Sequence, residues 1–229
     1  MLRRILFTAL IAGTVAGLFA AGIQHLKLIP LIAAAEVYEA AGTHADHQHG
    51  AAPNQQGAAP EWEPAPGVER VGYTVVADVL AGIGFALLLA GAVALARLRG
   101  YAIDARSGLL WGAAGFAVFA LAPAIGLPPE LPGMSAAELA ARQQWWLLTA
   151  AATAAGLGLV IFTRQVPLRV LGAVLLVLPH LIGAPAAPHA ATGVPAELAA
   201  EFATASLAIA AAFWLLLGSV SGWLYRRFE

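Results

Sequence analysis

Cysteine is absent from this 229-residue chain, and charged residues are scarce, at 11%. Without cysteine, disulfides, thiolate metal sites and dithiol redox chemistry are excluded, so any metal ligand must be His, Asp, Glu, Asn, Gln or the backbone. A soluble domain carries about 25% charged residues. With 60% hydrophobic residues and a mean hydropathy of +0.78, this chain cannot bury its apolar surface in one core. An integral membrane protein is therefore predicted.

Motifs of catalysis and of nucleic-acid binding are missing as well. The net charge is −1, so no basic field points to a nucleic-acid partner. The sequence has no phosphate-binding Gly-x-x-x-x-Gly-Lys-Ser/Thr loop, no His-Glu-x-x-His zinc motif, no Gly-x-Ser-x-Gly nucleophile motif and no dinucleotide fingerprint. The chain is therefore not expected to be an enzyme.

Six apolar stretches are long enough to cross a bilayer, which takes about 20 apolar residues per helix. They span residues 5–24, 73–96, 108–126, 145–163, 167–183 and 202–225. The predicted fold class is all-α, a polytopic membrane bundle of six transmembrane helices. The fifth stretch is the shortest and carries Pro179 near its end.

Arginine and lysine predict the orientation of these helices. With six spans, nine of the twelve basic residues fall on one side, and only Lys27, Arg70 and Arg142 fall on the other. We therefore expect a multi-pass protein of the inner (cytoplasmic) membrane with both termini in the cytoplasm. Arg3 and Arg4 before an apolar run also resemble a signal peptide, but that run exceeds the usual apolar region of about 7–15 residues. The first helix, within residues 1–25, is expected to be retained.

One large external loop, residues 26–72, follows the first helix. Its first part, residues 30–41, predicts a short helix, because Pro30 suits a first helical position and Gly42 suits a stop. The remainder of the loop has no helical or strand periodicity. Residues 73–229 are predicted to form a five-helix bundle.

An internal similarity suggests a hairpin repeat over residues 108–163 and 167–225. In each half, a helix ends at a stretch with spaced proline, glycine and proline (PAIGLP at 123–128, PHLIGAP at 179–185). An Ala-Glu-Leu-Ala-Ala element then precedes the next helix. Transporters often contain such repeats, although alanine-rich membrane sequences also match by chance. Either interpretation fits the pattern.

All six histidines fall on the external side of this topology. His44, His47 and His49 cluster in the loop, while His25, His180 and His189 lie at or beyond the ends of spans. Neutral imidazole is a common ligand for divalent transition metals. The loop cluster is therefore a candidate metal-capture site, although a solvated polar loop has the same composition.

Carboxylates near the same side are further candidate ligands. Glu36 and Glu39 share a helix face, and His25 shares a metal shell with Glu36 only if Pro30 breaks the helix. Asp78 lies inside the second span, where burying a carboxylate in lipid costs free energy. We therefore expect it to serve ion passage or to pair with a partner such as Arg70 or Arg142. His180 follows Pro179, whose missing N–H frees a backbone carbonyl one turn back. The imidazole and that carbonyl together make a candidate polar site at an external mouth, with His180 as the ligand. Solvated faces and structural hydrogen bonds are the alternatives.

Glycines at four-residue spacing indicate where helices approach closely. The pairs are Gly13 with Gly17, Gly108 with Gly112, and Gly218 with Gly222. Packing within one bundle is the favoured interpretation, and docking of a partner helix is the other.

The sequence resembles the CbtA family of predicted bacterial cobalt transporter subunits, nearly from end to end. The matching stretches are residues 30–39 (PLIAAAEVYE), the histidine loop, 61–64 (EWEP), 126–133 (GLPPELPG), 142–146 (RQQWW), 178–185 (LPHLIGAP), 194–198 (VPAEL) and 222–227 (GWLYRR). The resemblance implies cobalt uptake linked to cobalamin synthesis, and a small partner, CbtB, with one span and its own histidines. It implies no ligand set by position, and cobalt rather than nickel or zinc rests on it alone.

The leading hypothesis is a divalent-metal permease subunit in the lipid bilayer, with Co²⁺ as the transported ion and no permanently bound cofactor. External histidines and carboxylates would concentrate the metal before it enters the bundle near His25, His180 and Asp78. The alternative is an accessory or sensory membrane protein that binds external metal without a permeation path. A membrane-embedded enzyme is disfavoured, since Asp78 is the only acidic residue within the spans. Association into a homo-oligomer is left open.

Overall fold

The computed structural model of the chain describes residues 2–46, 64–65, 67–101, 105–187 and 193–227. Within those ranges every regular element is a helix, as the predicted all-α fold class requires. The elements are α1 (Leu2–Asp46), α2 (Val68–Leu98), α3 (Ala105–Phe116), a π-helical turn (Ala117–Leu121), α4 (Ala122–Gly126), α5 (Leu139–Phe162), α6 (Val166–Ile182) and α7 (Ala196–Arg227).

Five of the helical stretches are long and apolar enough to cross a membrane. They lie at Leu2–Tyr38, Val68–Leu98, Arg106–Gly126, Leu139–Phe162 and Ala196–Arg227. The remaining predicted span, the fifth, is α6, a shorter apolar helix of 17 residues, about 25 Å long at 1.5 Å per residue. That is slightly less than the hydrocarbon core of about 30 Å.

Helix α1 is longer than the sequence predicts. It continues through Pro30 and Gly42, so the separate helix predicted over residues 30–41 is part of α1. Proline inside a helix costs about 3 kcal/mol and glycine about 1 kcal/mol. Past Pro30 the helix is held by packing, because Ala35 is fully buried in a cluster with Leu131, Val194 and Phe202. The rest of the predicted loop, apart from 64–65 and 67–72, lies outside the described residues.

The third span is helical throughout but changes its hydrogen-bond register. The amide of Ala122 donates to the carbonyl of Ala117, five residues back, which closes the π turn. Pro123 follows and has no amide hydrogen to offer. The wider turn carries Phe119, whose ring stacks on Trp214 of α7 at 5.4 Å between centroids. Phe85 of α2 packs against both rings, at 5.3 Å and 5.0 Å, so one aromatic cluster joins three helices.

Glycines sit where the helices cross. A Cβ at Gly17 would lie 2.6 Å from the carbonyl oxygen of Asp78, and one at Gly13 would meet the backbone of Ile83. Gly108 and Gly112 of α3 face the backbone of α7 at Gly218 and Trp214 in the same way. The glycine pairs therefore pack within the bundle, as the favoured interpretation predicts.

The helices pair as α1 with α2, α3 with α7, α5 with α6, and α1 with α7. The α5–α6 pair closes through Gly156 and Gly172, where each added Cβ would lie 2.8 Å from the other's carbonyl oxygen. Pairs α3–α7 and α5–α6 each join one half of the suggested repeat to the other. The Ala-Glu-Leu-Ala-Ala elements are not separate helices, because they form the starts of α5 and α7.

The two ends of the bundle differ in charge. At one end, the guanidinium groups of Arg4 and Arg97 lie 4.0 Å and 5.3 Å from the ring centroid of Tyr225, which is buried. At the other end lie the cluster around Ala35 and Leu131 and the ion pair between Glu36 and Arg70. These ends are called the arginine end and the ligand end below.

The outward surface between the two ends is apolar. Exposed leucines and isoleucines lie on every spanning helix, among them Leu10, Leu80, Leu110, Leu148 and Leu215. Exposed apolar surface of this extent is typical of a lipid-facing protein. The structure therefore agrees with the membrane class that composition predicts.

A glycine at a helix crossing should tolerate no side chain. We expect Gly13→Ala to lower the free energy of unfolding by about 1–3 kcal/mol, because its Cβ would collide with the backbone of α2. The measurement is thermal unfolding of the purified protein in detergent micelles. The matched control is Gly84→Ala, since nothing lies within 4 Å of an added Cβ there. Equal melting temperatures for the two variants would contradict this account of the α1–α2 contact.

Candidate functional site

The predicted ligand residues divide into those that the structure describes and those that it does not. His25, Glu36, Asp78 and His180 are described with their side chains. Glu39 and His44 belong to α1, but their side chains lie outside the described part, as do His47, His49 and His189 altogether. The histidine cluster of the loop therefore stays a prediction.

The described ligand residues do not converge on one centre. Among the described residues, no three His, Asp or Glu side chains form a group that could hold a metal ion. His25 and Glu36 lie on one unbroken helix, so they are about 16 Å apart along its axis. The break at Pro30 that would bring them together does not occur. These residues instead line separate places at and near the ligand end.

Asp78 lies within α2, about 15 Å from the start of that helix at 1.5 Å per residue. The side-chain amide of Gln24 on α1 donates a hydrogen bond from Nε2 to Asp78 Oδ1, at 3.3 Å. The second oxygen, Oδ2, is buried and has no hydrogen-bond partner among the described residues. A polar pair thus sits in the α1–α2 contact, next to the glycine crossing at Gly17.

The predicted arginine partners of Asp78 are wrong. Arg70 pairs instead with Glu36, from Nη2 to Oε1 at 3.1 Å, and links α2 to the extended part of α1. Arg142 pairs with Glu130, from Nη2 to Oε2 at 3.0 Å. The crossing of α1 and α2 determines these partners. It places Gln24 of α1 beside Asp78, and it places Arg70 of α2 beside Glu36, further along α1. An exposed pair such as Arg70–Glu36 contributes about 0–1 kcal/mol.

His180 lies in the last turn of α6, beside Trp145 in the first turns of α5. The two rings are 6.3 Å apart between centroids and meet edge to face. His180 Nδ1 and Trp145 Nε1 are both buried, and neither has a hydrogen-bond partner among the described residues. Both side chains line a cavity of about 460 Å³ that also reaches Glu130 and the non-helical residues 183–187. This space is called the His180 cavity below.

A second, larger cavity lies on the other side of the segment around Glu130. Its volume is about 690 Å³, and its lining includes Arg142, Gln143, Trp146 and Ser206. Leu127, Pro128 and Glu130 line both cavities. The Glu130–Arg142 ion pair therefore crosses the wall between them.

The start of α5 holds Arg142 and Trp145 in place. Glu138 is the N-cap, and its carboxylate accepts hydrogen bonds from the amides of Ala140 and Ala141 at 3.0 Å and 2.9 Å. These bonds hold the pKa of the Glu138 carboxyl below its usual range. Such a cap satisfies amides that the first helical turn leaves without partners.

Gln24, Glu130 and Trp145 were missed as site residues by the sequence reasoning. A signal for Trp145 existed, because α5 and α6 are joined by only three residues, 163–165, at a turn. A tight antiparallel hairpin places residues roughly equidistant from its turn at the same level, as Trp145 and His180 are. No sequence signal points to Gln24, since its role depends on the crossing of two helices.

A model of the CbtA protein family, described as "Probable cobalt transporter subunit", matches residues 2–226. The chain belongs to the CbtA family. No curated protein and no solved structure matches it. The match includes the helical bundle and the lining of both cavities, so this chain is a membrane protein of a family of probable cobalt transporter subunits.

The capping of α5 in this chain should depend on pH. Because hydrogen bonds to the ionised form lower the folded-state pKa of Glu138, the cap stabilises the protein above the ordinary glutamate pKa of about 4.3. That stabilisation is lost as the pH falls through the lower, folded-state pKa. We expect Glu138→Gln to melt below the wild type at pH 7, and the gap to shrink in acid.

The check is thermal unfolding of both proteins in micelles between pH 7 and pH 3. Glu201→Gln serves as the control, because Glu201 is an exposed glutamate of α7 with no capping role. A gap between wild type and Glu138→Gln that stays constant with pH would contradict the capping account.

Proposed function

We propose that this CbtA-family chain is the membrane subunit of a cobalt-uptake transporter, with Co²⁺ captured outside and passed through the helix bundle. The family match over residues 2–226 is the observation that carries the proposal. The apolar outer surface and the spanning helices suit a permease. Imidazole, carboxylate and amide ligands bind Co, Ni and Zn alike, so the choice of cobalt rests on the family.

The proposed orientation places the arginine end in the cytoplasm and the ligand end outside, in the inner (cytoplasmic) membrane. Support comes from Arg4 and Arg97, which meet at Tyr225 near the end of α7. Arginine and lysine are enriched on the cytoplasmic side of membrane proteins. Both termini would then be cytoplasmic, and metal would arrive at the ligand end.

Capture is assigned to the loop histidines His44, His47 and His49, with Glu36 and Glu39 on the last turns of α1. Glu36 is tied to Arg70 and exposed, so an arriving cation would compete for it with a guanidinium. His25 is exposed on α1, one residue after Gln24. These residues would raise the local metal concentration rather than fix a rigid shell.

Passage is assigned to Asp78 with Gln24. Asp78 is the one acidic residue of the chain within the predicted spans, and its Oδ2 has no partner among the described residues. Intramembrane carboxylates are costly and commonly mark ion paths. An oxygen pair from Asp78 and Gln24 would give Co²⁺ a weak stepping point that it can also leave.

A small single-span subunit with its own histidines, similar to CbtB, is the proposed partner. The family description names a transporter subunit, which supports a multi-subunit assembly. No nucleic-acid or enzymatic role is proposed. If the chain binds metal without transporting it, the accessory or sensory role applies instead.

Cobalt accumulation tests the proposal directly. Cells producing this chain and its partner should accumulate ⁵⁷Co²⁺, and excess Ni²⁺ or Zn²⁺ should compete weakly. Cells lacking either subunit are the controls. Metal binding by the purified chain, without accumulation in cells or flux in proteoliposomes, would favour the accessory role.

Asp78→Asn should reduce ⁵⁷Co²⁺ accumulation at least tenfold while leaving the amount of protein in the membrane unchanged. The amide keeps a carbonyl oxygen for Gln24 but removes the charge that attracts the cation. Glu197→Gln is the matched control, because Glu197 is an exposed carboxylate on α7. Full accumulation with Asp78→Asn would remove Asp78 from the path.

Replacing His44, His47 and His49 together with asparagine should lower accumulation at limiting Co²⁺ and have little effect at saturating Co²⁺. A capture site raises local concentration and matters only when metal is scarce. The measurement is the initial ⁵⁷Co²⁺ uptake rate against concentration. An unchanged rate at limiting metal would show that the loop has no capture role.

A further inference from the structure

The His180 cavity is lined by the imidazole of His180, whose Nδ1 has no partner among the described residues. It is also lined by the Glu130 carboxylate, which pairs with Arg142 of the neighbouring cavity. We propose that His180 and Glu130 form a divalent-cation site in this cavity, with the Arg142 guanidinium as the counter-ion that an arriving cation displaces. The assignment of cobalt as its ligand rests on the proposed function. Binding at the site and transport by the chain are nevertheless separate events.

The charge of the cavity favours a cation. Glu130 is the only charged side chain among its described lining residues, while Arg142 lines the neighbouring cavity. A cation in the His180 cavity would meet an imidazole and a carboxylate, and it would compete with the guanidinium only from the neighbouring cavity. An anion would meet the Glu130 carboxylate directly and would be repelled.

The two buried nitrogens suit a ligand of this kind. A buried polar group without a partner costs about 1–3 kcal/mol, and both His180 Nδ1 and Trp145 Nε1 lack one among the described residues. A neutral imidazole can give its Nδ1 lone pair to a metal. The indole N–H only donates, so it suits a water molecule or a carboxylate oxygen beside that metal. Trp145 is 8% exposed, so bulk water does not satisfy it.

The cavity is large enough for a cation that keeps much of its water. Six waters at about 30 Å³ each occupy about 180 Å³, against a cavity of about 460 Å³. Two protein ligands and several waters make a weak site. A weak site is what a path requires, since the ion must leave again.

The Arg142 guanidinium competes with an arriving cation for the Glu130 carboxylate. It lies 3.0 Å from Glu130, and the two side chains are only 34% and 20% exposed. A partly buried pair of this kind holds the carboxylate in place when no cation is bound. Cation binding would move Glu130 toward His180 and release Arg142 into the larger cavity, where Gln143 also lies.

The experiment uses tryptophan fluorescence of the full-length chain in micelles, with Co²⁺ alone as the probe. Bound Co²⁺ quenches nearby indole emission, and Trp145 is 6.3 Å from His180. Every variant also carries His44, His47 and His49 replaced by asparagine, so that loop binding gives no signal. We expect saturable quenching that Trp145→Phe removes in large part.

Three variants and one control separate the parts of the proposal. His180→Asn and Glu130→Gln should each weaken the apparent affinity at least tenfold. Arg142→Gln should strengthen it several-fold, because the competing guanidinium is gone. Glu197→Gln, a carboxylate outside this cavity, should leave it unchanged.

Affinity that is unchanged in both His180→Asn and Glu130→Gln would overturn the site. Unchanged or weaker affinity in Arg142→Gln would overturn the displacement. Cobalt accumulation in cells without saturable quenching would reject this site and leave the transport role standing. Quenching without accumulation would support the site and reject transport.

Discussion

Backbone contact between helices, made through glycine, is the constraint on which the rest of this structure depends. In lipid, helices gain little from hiding apolar side chains from one another, so association relies on close packing and on hydrogen bonds. Gly13 and Gly17 bring α1 onto α2, Gly108 and Gly218 bring α3 onto α7, and α5 meets α6 at Gly156 and Gly172. Each crossing fixes which polar residues can reach one another several turns away.

The polar groups of the ligand end follow from those crossings. Because α1 and α2 touch at Gly17, Gln24 reaches Asp78 within the span, while Glu36 and Arg70 meet beyond it. Because α5 and α6 form a tight hairpin, Trp145 and His180 share one cavity wall. Among the described residues, these polar groups occupy separate places rather than one centre.

The arginine end is built differently. Arg4 and Arg97 approach the face of the buried ring of Tyr225, and such cation–π contacts strengthen where water is excluded. These contacts tie α1, α2 and α7 together at the end opposite the ligands. The aromatic cluster of Phe85, Phe119 and Trp214 joins α2, the π turn and α7 within the bundle. The proposed metal ligands of the ligand end therefore lie opposite the cation–π contacts that tie these helices together.

Composition and periodicity alone determined the membrane class, the all-α fold and the positions of five spans, because the length and apolarity of a spanning helix are local properties. The family was inferred instead from matching stretches of sequence, and the family match over residues 2–226 confirms it. The glycine spacing also predicted close packing within the bundle. Helix ends and side-chain partners needed the tertiary structure. The sequence placed the start of a separate helix at Pro30 and its stop at Gly42, but α1 runs through both, and packing of Ala35 on Leu131 holds the part after Pro30. It suggested Arg70 or Arg142 as the partner of Asp78, but the crossing of α1 and α2 places Gln24 there instead. Only the fold decided those contacts, because they join residues far apart in the chain whose meeting depends on where two helices cross.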